Sequence, residues 1–278
     1  MRVGFLGPSG TFAEEALRSS APAGVEEEVP YPSVWDTVMA VQERSVDQGV
    51  VPIENSLEGS VTTTLDALAG EASGVRIVAE VVRPISHCLV ARDGVALDDV
   101  TRVLSHPQAL AQCARFLHAR LPRAGTEVSG STADAVRTAV ASQEPLAAIG
   151  TRLAAELYGG VVLAEGVEDR PDNLTRFVWL APEGTPPHEP PDKTSVVFWG
   201  FNDESPGALV AVLRELADRG VNLTKIESRP RRVQLGHYMF FADLDGAADD
   251  AAVGQALAGL ARRVETLRVL GSYRAARH

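Results

Sequence analysis

The first part of the chain alternates strand-like segments with helix-like segments. RVGFLG precedes the helical pattern TFAEEALRSS, VEEEVPY precedes VWDTVMAVQER, and LAAIG precedes TRLAAELYG. Such alternation is typical of α/β proteins with mostly parallel sheets. A long extended stretch at residues 76–92 predicts a crossing from one lobe to another, and a second crossing near residues 160–170 returns the chain. Two lobes joined in this way imply a cleft that can hold a ligand.

The last part of the chain follows a different pattern. Its segments read β-α-β-β-α-β, the order of the ferredoxin-like arrangement. Residues 181–193 before it contain five prolines and show no apolar periodicity, which is typical of an extended connector. We therefore predict a two-lobed domain at residues 1–181, a linker at 182–193 and a second domain at 194–278.

Charge and composition exclude several classes of function. The formal net charge of −11 argues against a general binder of nucleic acids or membrane surfaces. No apolar run approaches the roughly 20 residues needed to span a bilayer, and the start of the chain lacks a signal-peptide core. Cys88 and Cys113 lie among apolar residues, which favours buried thiols in a reducing cytoplasm. Neither the cysteines nor the histidines show metal-ligand spacing, so we predict no metal and no cofactor.

The stretch PDNLTRF at residues 171–177 concentrates polar groups at the start of an apolar segment. Side chains alternate along a strand, so Asn173, Thr175 and Phe177 would share one face and Arg176 the other. Buried amide and hydroxyl groups need partners, which a small anionic ligand would supply. The alternative is an ordinary strand entered through an Asn turn, with Arg176 as a surface charge.

Several turns before predicted helices are rich in hydroxyl and amide groups. Helix N-termini that converge beyond the carboxyl ends of strands would suit a small carboxylate-bearing ligand. Ordinary N-capping explains the same residue types, and the pattern alone does not decide between the two. The candidate residues in these turns are Thr11, Asn55, Ser56, Ser105 (as a helix N-cap), Ser131 and Thr132.

These motifs, taken together, resemble those of the prephenate dehydratases. GPSGTF, VPIENSLEGSV, SHPQALAQC, STADAV, AAIGTRLAAELYG and NLTRF occur in the order of that family, without a departure in the motif cores. The last part resembles an ACT regulatory domain through GALV at 207–210 and ESRP at 227–230. Because the dehydratase pattern begins at residue 3, we expect none of the mutase domain that bifunctional members carry in front of it.

The resemblance implies a reaction, a fold and a set of site residues. Prephenate would lose CO2 and water to give phenylpyruvate in a two-lobed domain resembling a periplasmic-binding-type fold. Thr175, in the TRF motif, would be the catalytic residue, and we interpret it as a hydrogen-bond donor to the departing hydroxyl. The role of Glu54 stays open. We hypothesise that the substrate-binding residues are Thr11, Asn55, Ser56, Ser105, Ser131, Thr132, Asn173, Arg176 and Phe177.

The ACT resemblance implies feedback control by L-phenylalanine at an interface between paired domains. The chain would then form a homodimer or a homotetramer. The implied effector residues are Gly207, Ala208, Leu209 and Val210 on one wall, Glu227, Ser228, Arg229 and Pro230 on the other, and Asn222 nearby.

Two other functions remain compatible with the sequence. An arogenate dehydratase would act on a substrate that carries an amino acid side chain in place of the pyruvyl group. A non-catalytic amino-acid sensor would bind a small acid without turnover, although such a sensor would not need to keep the NLTRF hydroxyl.

Overall fold

A computed structural model describes residues 1–201, 205–233 and 235–276. Strands and helices alternate along the first part of the chain, as the sequence predicts. Up to residue 91 the elements are β1 (Arg2–Leu6), α1 (Phe12–Ser20), β2 (Glu27–Tyr31), α2 (Val34–Gln42), β3 (Gln48–Asn55), β4 (Gly59–Ser60), α3 (Thr62–Ala69), β5 (Val75–Pro84) and β6 (Cys88–Ala91). Then follow a 3-10 helix (Leu97–Asp99), β7 (Arg102–Ser105), α4 (Pro107–Gln112), α5 (Ala114–Arg120), β8 (Gly125–Val128), α6 (Thr132–Ala141), β9 (Leu146–Gly150), α7 (Arg152–Tyr158), β10 (Val161–Glu165) and β11 (Leu174–Pro182). The remainder forms β12 (Lys193–Trp199), α8 (Ala208–Ala217), β13 (Leu223–Pro230), β14 (Tyr238–Asp245), α9 (Ala251–Ala261) and β15 (Thr266–Tyr273).

The strands of the first part form two sheets. The first sheet has the order β2-β1-β3-β11-β5, with β4 paired to β3, and the second has the order β10-β6-β9-β7-β8. The chain passes from the first sheet to the second between β5 and β6, and it returns between β10 and β11. Both crossings predicted from the sequence are therefore confirmed, at the segments expected.

The second sheet departs from the expectation of mostly parallel strands. In this sheet β7 runs parallel to β8 and β9, whereas β6 runs antiparallel to both β9 and β10. Only residues 85–87 separate β6 from β5, so no helical crossover sets its direction. The central strand β9 is buried on both faces: Ala147 and Ile149 pack on one side, and Leu146 and Ala148 on the other.

The last part of the chain adopts the predicted β-α-β-β-α-β order. Its sheet has the order β13-β14-β12-β15, and each strand runs antiparallel to its neighbours. One face packs against the two helices, with Val196 and Phe198 of β12 in a core that includes Leu216 of α8 and Leu260 of α9. Among the described residues, no helix has both the length and the apolar character needed to cross a membrane.

The chain divides into two compact units. The first comprises Met1–Thr37, Gly49–Val61 and Val81–Phe177, and the second comprises Val38–Gln48, Thr62–Glu80 and Val178–His278. The second unit thus contains α3 and the first part of β5 as well as the β-α-β-β-α-β part.

A buried polar cluster lies inside this second unit. Lys193 Nζ lies 3.0 Å from Glu80 Oε2 and 3.7 Å from Asp243 Oδ2. The Glu80 side chain is only 3% exposed, and that of Lys193 is 14% exposed. Ser195 Oγ donates to Asp243 Oδ1 at 2.6 Å and lies 2.7 Å from the hydroxyl of Tyr273. These contacts join β5 to β12, β14 and β15 through groups that water reaches poorly.

The substitution Lys193→Met tests this cluster, because it keeps the apolar stem and removes the charge. The Glu80 carboxylate would lose its buried cation, so we expect the free energy of unfolding to fall by about 3–5 kcal/mol in urea titrations. Arg102→Met is the matched control, since Arg102 pairs with the exposed Glu127 and Glu144. The free energy of unfolding of this control variant should fall by less than about 1 kcal/mol. Equal losses in the two variants would contradict the account.

Candidate functional site

A pocket of about 410 Å³ lies within the first compact unit. Its size fits a small ligand, since ligand pockets commonly measure about 300–1,000 Å³. Apolar side chains, among them Phe12, Val34, Ile85 and Phe177, form much of the wall. The polar side chains in the lining are those of Thr11, Asn55, His87, His106, Gln108, Gln112, Ser131, Thr132, Asn173 and Thr175.

The NLTRF stretch supplies one wall of the pocket through alternate residues. Asn173, Thr175 and Phe177 all line the pocket, and each is less than 10% exposed. Arg176, between two of them, is absent from the lining. The alternation expected from a strand is therefore present, since residue 174 begins β11.

The carboxamide of Asn55 fixes the hydrogen-bonding role of Thr175. The backbone N–H groups of Leu57 and Glu58 both donate to Asn55 Oδ1 at 3.0 Å. The Nδ2 atom must then point the other way, and it donates to Asn173 Oδ1 and to Thr175 Oγ1, each at 2.8 Å. Thr175 therefore accepts a hydrogen bond through its oxygen. Its own hydroxyl hydrogen remains available for a ligand in the pocket.

Ser56 acts on the backbone rather than on the pocket. Its Oγ accepts a hydrogen bond from the Leu174 N–H at 2.9 Å, and its own N–H donates to the Leu174 carbonyl at 2.8 Å. These bonds hold the turn after β3 against the start of β11. Ser56 lies outside the pocket lining, so the structure gives it a positioning role.

Two helices of the first unit begin at the pocket. Thr11 and Ser131 are the N-cap residues of α1 and α6, and Thr132 is the first residue of α6. The hydroxyl of Thr11 is already used, because it donates to the Leu6 carbonyl at 2.8 Å. Ser131 Oγ accepts from the Asp134 N–H at 3.0 Å, which leaves its hydrogen for other partners. Both the N-capping and the ligand interpretations of these turns fit this geometry.

Gly10, just before α1, is held in a conformation that suits glycine. Its φ of +91° lies in the left-handed region, and an added Cβ would lie 2.9 Å from the Cβ of Ala154. Thr151 Oγ1 also donates to the Gly10 carbonyl at 2.7 Å. The GPSGTF turn is therefore packed closely against the start of α7.

The prediction that Ser105 is a helix N-cap is wrong. Ser105 is the last residue of β7 and is fully buried, and its Oγ donates to the Ile149 carbonyl of the neighbouring strand at 2.7 Å. The N-cap of α4 is His106, whose Nδ1 accepts from the Gln108 N–H. Ser105 therefore braces two strands and lies outside the pocket lining, because its hydroxyl is bonded to the neighbouring strand β9.

Arg176 is engaged away from the pocket. Its Nη2 and Nε lie 2.9 Å and 3.1 Å from Glu54 Oε2, and the residue is only 9% exposed. In this arrangement the Arg176 side chain lies outside the pocket lining. Glu54 belongs to β3 next to Asn55, so the ion pair joins the two strands that carry Asn55 and Thr175.

The pocket has an unusual charge pattern for a site that we expect to bind an anion. Within its lining, all of it in the described part of the chain, there is no Lys, Arg, Asp or Glu. The titratable side chains in the lining are those of His87 and His106. Burial lowers the pKa of His87, with the Gln112 hydrogen bond and Glu168 acting in the opposite direction. His87 is therefore neutral at pH 7.

Four polar residues of the pocket were not predicted from the sequence: His87, His106, Gln108 and Gln112. The spacing of Gln108 and Gln112 was a usable signal, because residues four apart share one face of a helix. His87 belongs to the extended stretch predicted at residues 76–92, and the structure places it in the short connection before β6. The sequence around it gave little signal, because the extended run also contains the polar residues Arg76, Glu80, Arg83 and Ser86.

The two cysteines are buried away from the pocket lining. Burial raises the pKa of the Cys113 thiol to about 12 and also raises the pKa of Cys88. Both thiols are therefore protonated at neutral pH and poor nucleophiles. In the described part of the chain, no group of three or more His, Cys, Asp or Glu side chains is arranged to hold a metal ion.

The expected effector residues fall on α8 and on the edge strand β13. Gly207 is the N-cap of α8 with a φ of +83°, and Leu209 packs against the core of this part while Val210 is exposed. Asn222 Nδ2 donates to Asp245 Oδ2 at 2.7 Å. Ala208 begins α8, and Glu227, Ser228, Arg229 and Pro230 end β13.

Arg229 contacts α3, the helix that follows the Asn55 turn along the chain. Its Nε and Nη2 donate to the two carboxylate oxygens of Asp66 at 3.2 Å and 2.9 Å. Arg232 Nη2 donates to the same carboxylate at 2.6 Å. The Arg229 and Asp66 side chains are each 19% exposed, so water screens this pair only partly.

Comparisons with known proteins agree on one family. The family model of prephenate dehydratase matches residues 3–185, and the ACT domain model matches residues 197–262. A prephenate dehydratase of Mycolicibacterium vanbaalenii is 41% identical over 285 residues, covering 98% of this chain and 90% of the relative.

Two solved structures are similar along nearly the whole chain. The prephenate dehydratase of Arthrobacter aurescens, in complex with L-Phe, is 42% identical with a TM-score of 0.90, covering 99% of this chain and 90% of that one. GqqA, described as a novel type of quorum quenching acylase, is 30% identical with a TM-score of 0.87, covering 99% of this chain and 98% of that one.

The dehydratase model covers more than half of the residues, and the 41% identical relative spans 98% of the chain. The motifs that carry the family resemblance also bring Asn55, Asn173 and Thr175 into one pocket. The chain therefore belongs to the prephenate dehydratase family and carries a C-terminal ACT domain.

Proposed function

We propose that this chain converts prephenate into phenylpyruvate, with loss of CO2 and water, as a step of phenylalanine biosynthesis. The observation that carries the proposal is the Thr175 hydroxyl, whose hydrogen the Asn55 carboxamide leaves available in a pocket of ligand size. The acylase relative shows that one fold can host different activities, so the proposal depends on this site and not on the fold alone.

The reaction needs a hydrogen-bond donor at the leaving oxygen. Prephenate is a dianion: its ring carboxylate leaves as CO2, and the electron pair of that bond enters the ring as the ring hydroxyl departs. The departing hydroxide takes up one proton to become water, and phenylpyruvate remains as a monoanion. Thr175 would donate to the oxygen as negative charge develops there. A positioned donor of this kind contributes about 3–4 kcal/mol in comparable sites.

The largely apolar wall suits the loss of the ring carboxylate. A cation placed against that carboxylate would stabilise the ground state more than the transition state, since the charge disappears as CO2 forms. The lining carries no Lys or Arg side chain, and Arg176 is held by Glu54 outside it. Apolar surroundings disfavour a carboxylate and favour neutral CO2.

The pyruvyl carboxylate keeps its charge and needs a lasting partner. The N-termini of α1 and α6 open on the pocket at Thr11 and Ser131. Their free N–H groups and positive dipole ends would hold this carboxylate without a basic side chain. Thr132, Asn173 and Phe177 would complete the binding wall, while Ser56, Ser105 and Arg176 would act as supports.

We further propose that L-phenylalanine controls the activity through the ACT part. The Arthrobacter aurescens relative was solved in complex with L-Phe, which supports an effector of this kind. Arg229, on the expected effector wall, binds Asp66 of α3, and α3 follows the turn that contains Asn55. A ligand that changes the contacts of Arg229 would therefore act on a helix close in sequence to the site.

We also propose the domain bounds, the cellular location and the oligomeric state of the protein. Residues 1–181 would form the catalytic domain, 182–193 the linker and 194–278 the regulatory domain. The protein would work in the cytoplasm as a homodimer or homotetramer.

Thr175 is the position at which the catalytic proposal is tested. The unaltered chain should form phenylpyruvate from prephenate, and Thr175→Val should lower turnover by at least about a hundredfold, because it keeps the shape and removes the donor. Thr175→Ser restores a hydroxyl and is the matched control. The rate of phenylpyruvate formation measures all three. Near-normal turnover by the Val variant, or none by the unaltered chain, would overturn the proposal.

Asp66→Asn tests the regulatory route. The substitution removes the ion pairs with Arg229 and Arg232 and keeps the side-chain volume. The ratio of turnover without phenylalanine to turnover at saturating phenylalanine should fall about fivefold, which is within the usual size of allosteric coupling. Each variant's own phenylalanine-free rate is the reference, and Asp98→Asn, at an exposed position, is the control. An unchanged ratio in the Asp66 variant would exclude coupling through the ion pair of Arg229 with Asp66.

A further inference from the structure

His87 is a buried pocket residue that the proposed mechanism leaves without a role. It is 2% exposed and lines the pocket next to Phe12, whose ring meets the imidazole edge-on at a centroid distance of 5.4 Å. Its Nε2 lies 3.1 Å from Gln112 Oε1. Its Nδ1 is buried and has no hydrogen-bond partner in the described part of the chain. Buried polar atoms are rarely left unpaired, so this nitrogen calls for an explanation.

The protonation of this ring follows from a chain of carboxamides. Asn55 Nδ2 donates to Asn173 Oδ1, so Asn173 must present its Nδ2 on its other side. That Nδ2 lies 3.5 Å from Gln112 Oε1, and Gln112 Nε2 lies 3.5 Å from the Glu58 carboxylate, which can only accept. Both contacts make Gln112 Oε1 an acceptor.

The acceptor at Gln112 settles which ring nitrogen of His87 carries the hydrogen. Nε2 must donate to Gln112 Oε1, so it holds the hydrogen of the neutral ring. Burial lowers the pKa of His87, which keeps the ring neutral and leaves Nδ1 as a bare lone pair. The same chain of carboxamides that orients Thr175 thus also makes the orphaned nitrogen an acceptor.

We propose that His87 Nδ1 accepts the hydrogen of the hydroxyl group of the bound substrate, while Thr175 donates to the oxygen of that group. This inference depends on the proposed function, since it needs a ligand with a leaving hydroxyl. Within the cluster, Asn55 Oδ1, Asn173 Oδ1 and Gln112 Oε1 already accept hydrogen bonds. His87 Nδ1 has none, and two contacts on one hydroxyl fix its orientation as well as its position.

Two ligands that differ in this hydroxyl show whether His87 contacts the substrate or only supports the pocket. Prephenate carries the hydroxyl and phenylpyruvate does not. His87→Gln keeps a donor for Gln112 and removes the acceptor at Nδ1. We expect kcat/KM for prephenate to fall about tenfold, the scale of one lost neutral hydrogen bond. The inhibition constant of phenylpyruvate should stay within about twofold, since that ligand makes no such bond.

His87→Asn is the second variant, because its carboxamide oxygen can occupy the Nδ1 position. It should recover part of the kcat/KM lost in the Gln variant. Unchanged kcat/KM in His87→Gln would overturn the inference. A parallel weakening of phenylpyruvate binding would also overturn it, because a disturbed pocket would affect both ligands.

The protonation of the two ring nitrogens of His87 can be measured without following turnover. In ¹⁵N NMR spectra of histidine-labelled protein, Nδ1 of His87 should be unprotonated and Nε2 protonated at pH 7. The reverse pattern would contradict the inference even in an active enzyme. If the unaltered chain does not turn over prephenate, the proposed function fails, and the role of Nδ1 in holding the leaving hydroxyl fails with it. The NMR result would then still decide the tautomer.

Discussion

The orientation of the Asn55 carboxamide is the constraint on which the rest of the site depends. Two backbone N–H groups, of Leu57 and Glu58, hold its oxygen, so its nitrogen must face Asn173 and Thr175. A backbone N–H group can only donate, so these two donors fix the direction of every hydrogen bond that Asn55 makes in the cluster. Ser56 supports the same arrangement by holding the turn against the start of β11. A small rigid turn thus determines where hydrogens point in the pocket.

Charge placement is the second constraint. The chain carries a formal net charge of −11, yet within the described residues the pocket lining holds no Lys, Arg, Asp or Glu side chain. The neighbouring Arg176 is paired with Glu54 outside the lining. Helix N-termini provide positive potential without a mobile cation, and they suit a carboxylate that persists through the reaction. An apolar wall suits the carboxylate that departs as CO2.

Local patterns predicted much of this arrangement. The alternation of Asn173, Thr175 and Phe177 follows from strand geometry alone, and the β-α-β-β-α-β order follows from periodicity. Contacts between distant segments were not predictable in the same way. Ser105 looked like an N-cap, but it bonds to Ile149, 44 positions away. Likewise, nothing local indicates that Gln112 meets both His87 and Asn173, because that meeting is a property of the packed fold.

Neutron diffraction from a deuterated crystal would test the central claim most directly, because it locates the hydrogens themselves. The account predicts a deuterium of Asn55 Nδ2 directed at Thr175 Oγ1, and the Thr175 deuterium directed away from Asn55 into the pocket. A deuterium lying on Thr175 Oγ1 and directed at an Asn55 oxygen would contradict it. In that case the hydroxyl would already be used, and Thr175 could not donate to a departing oxygen.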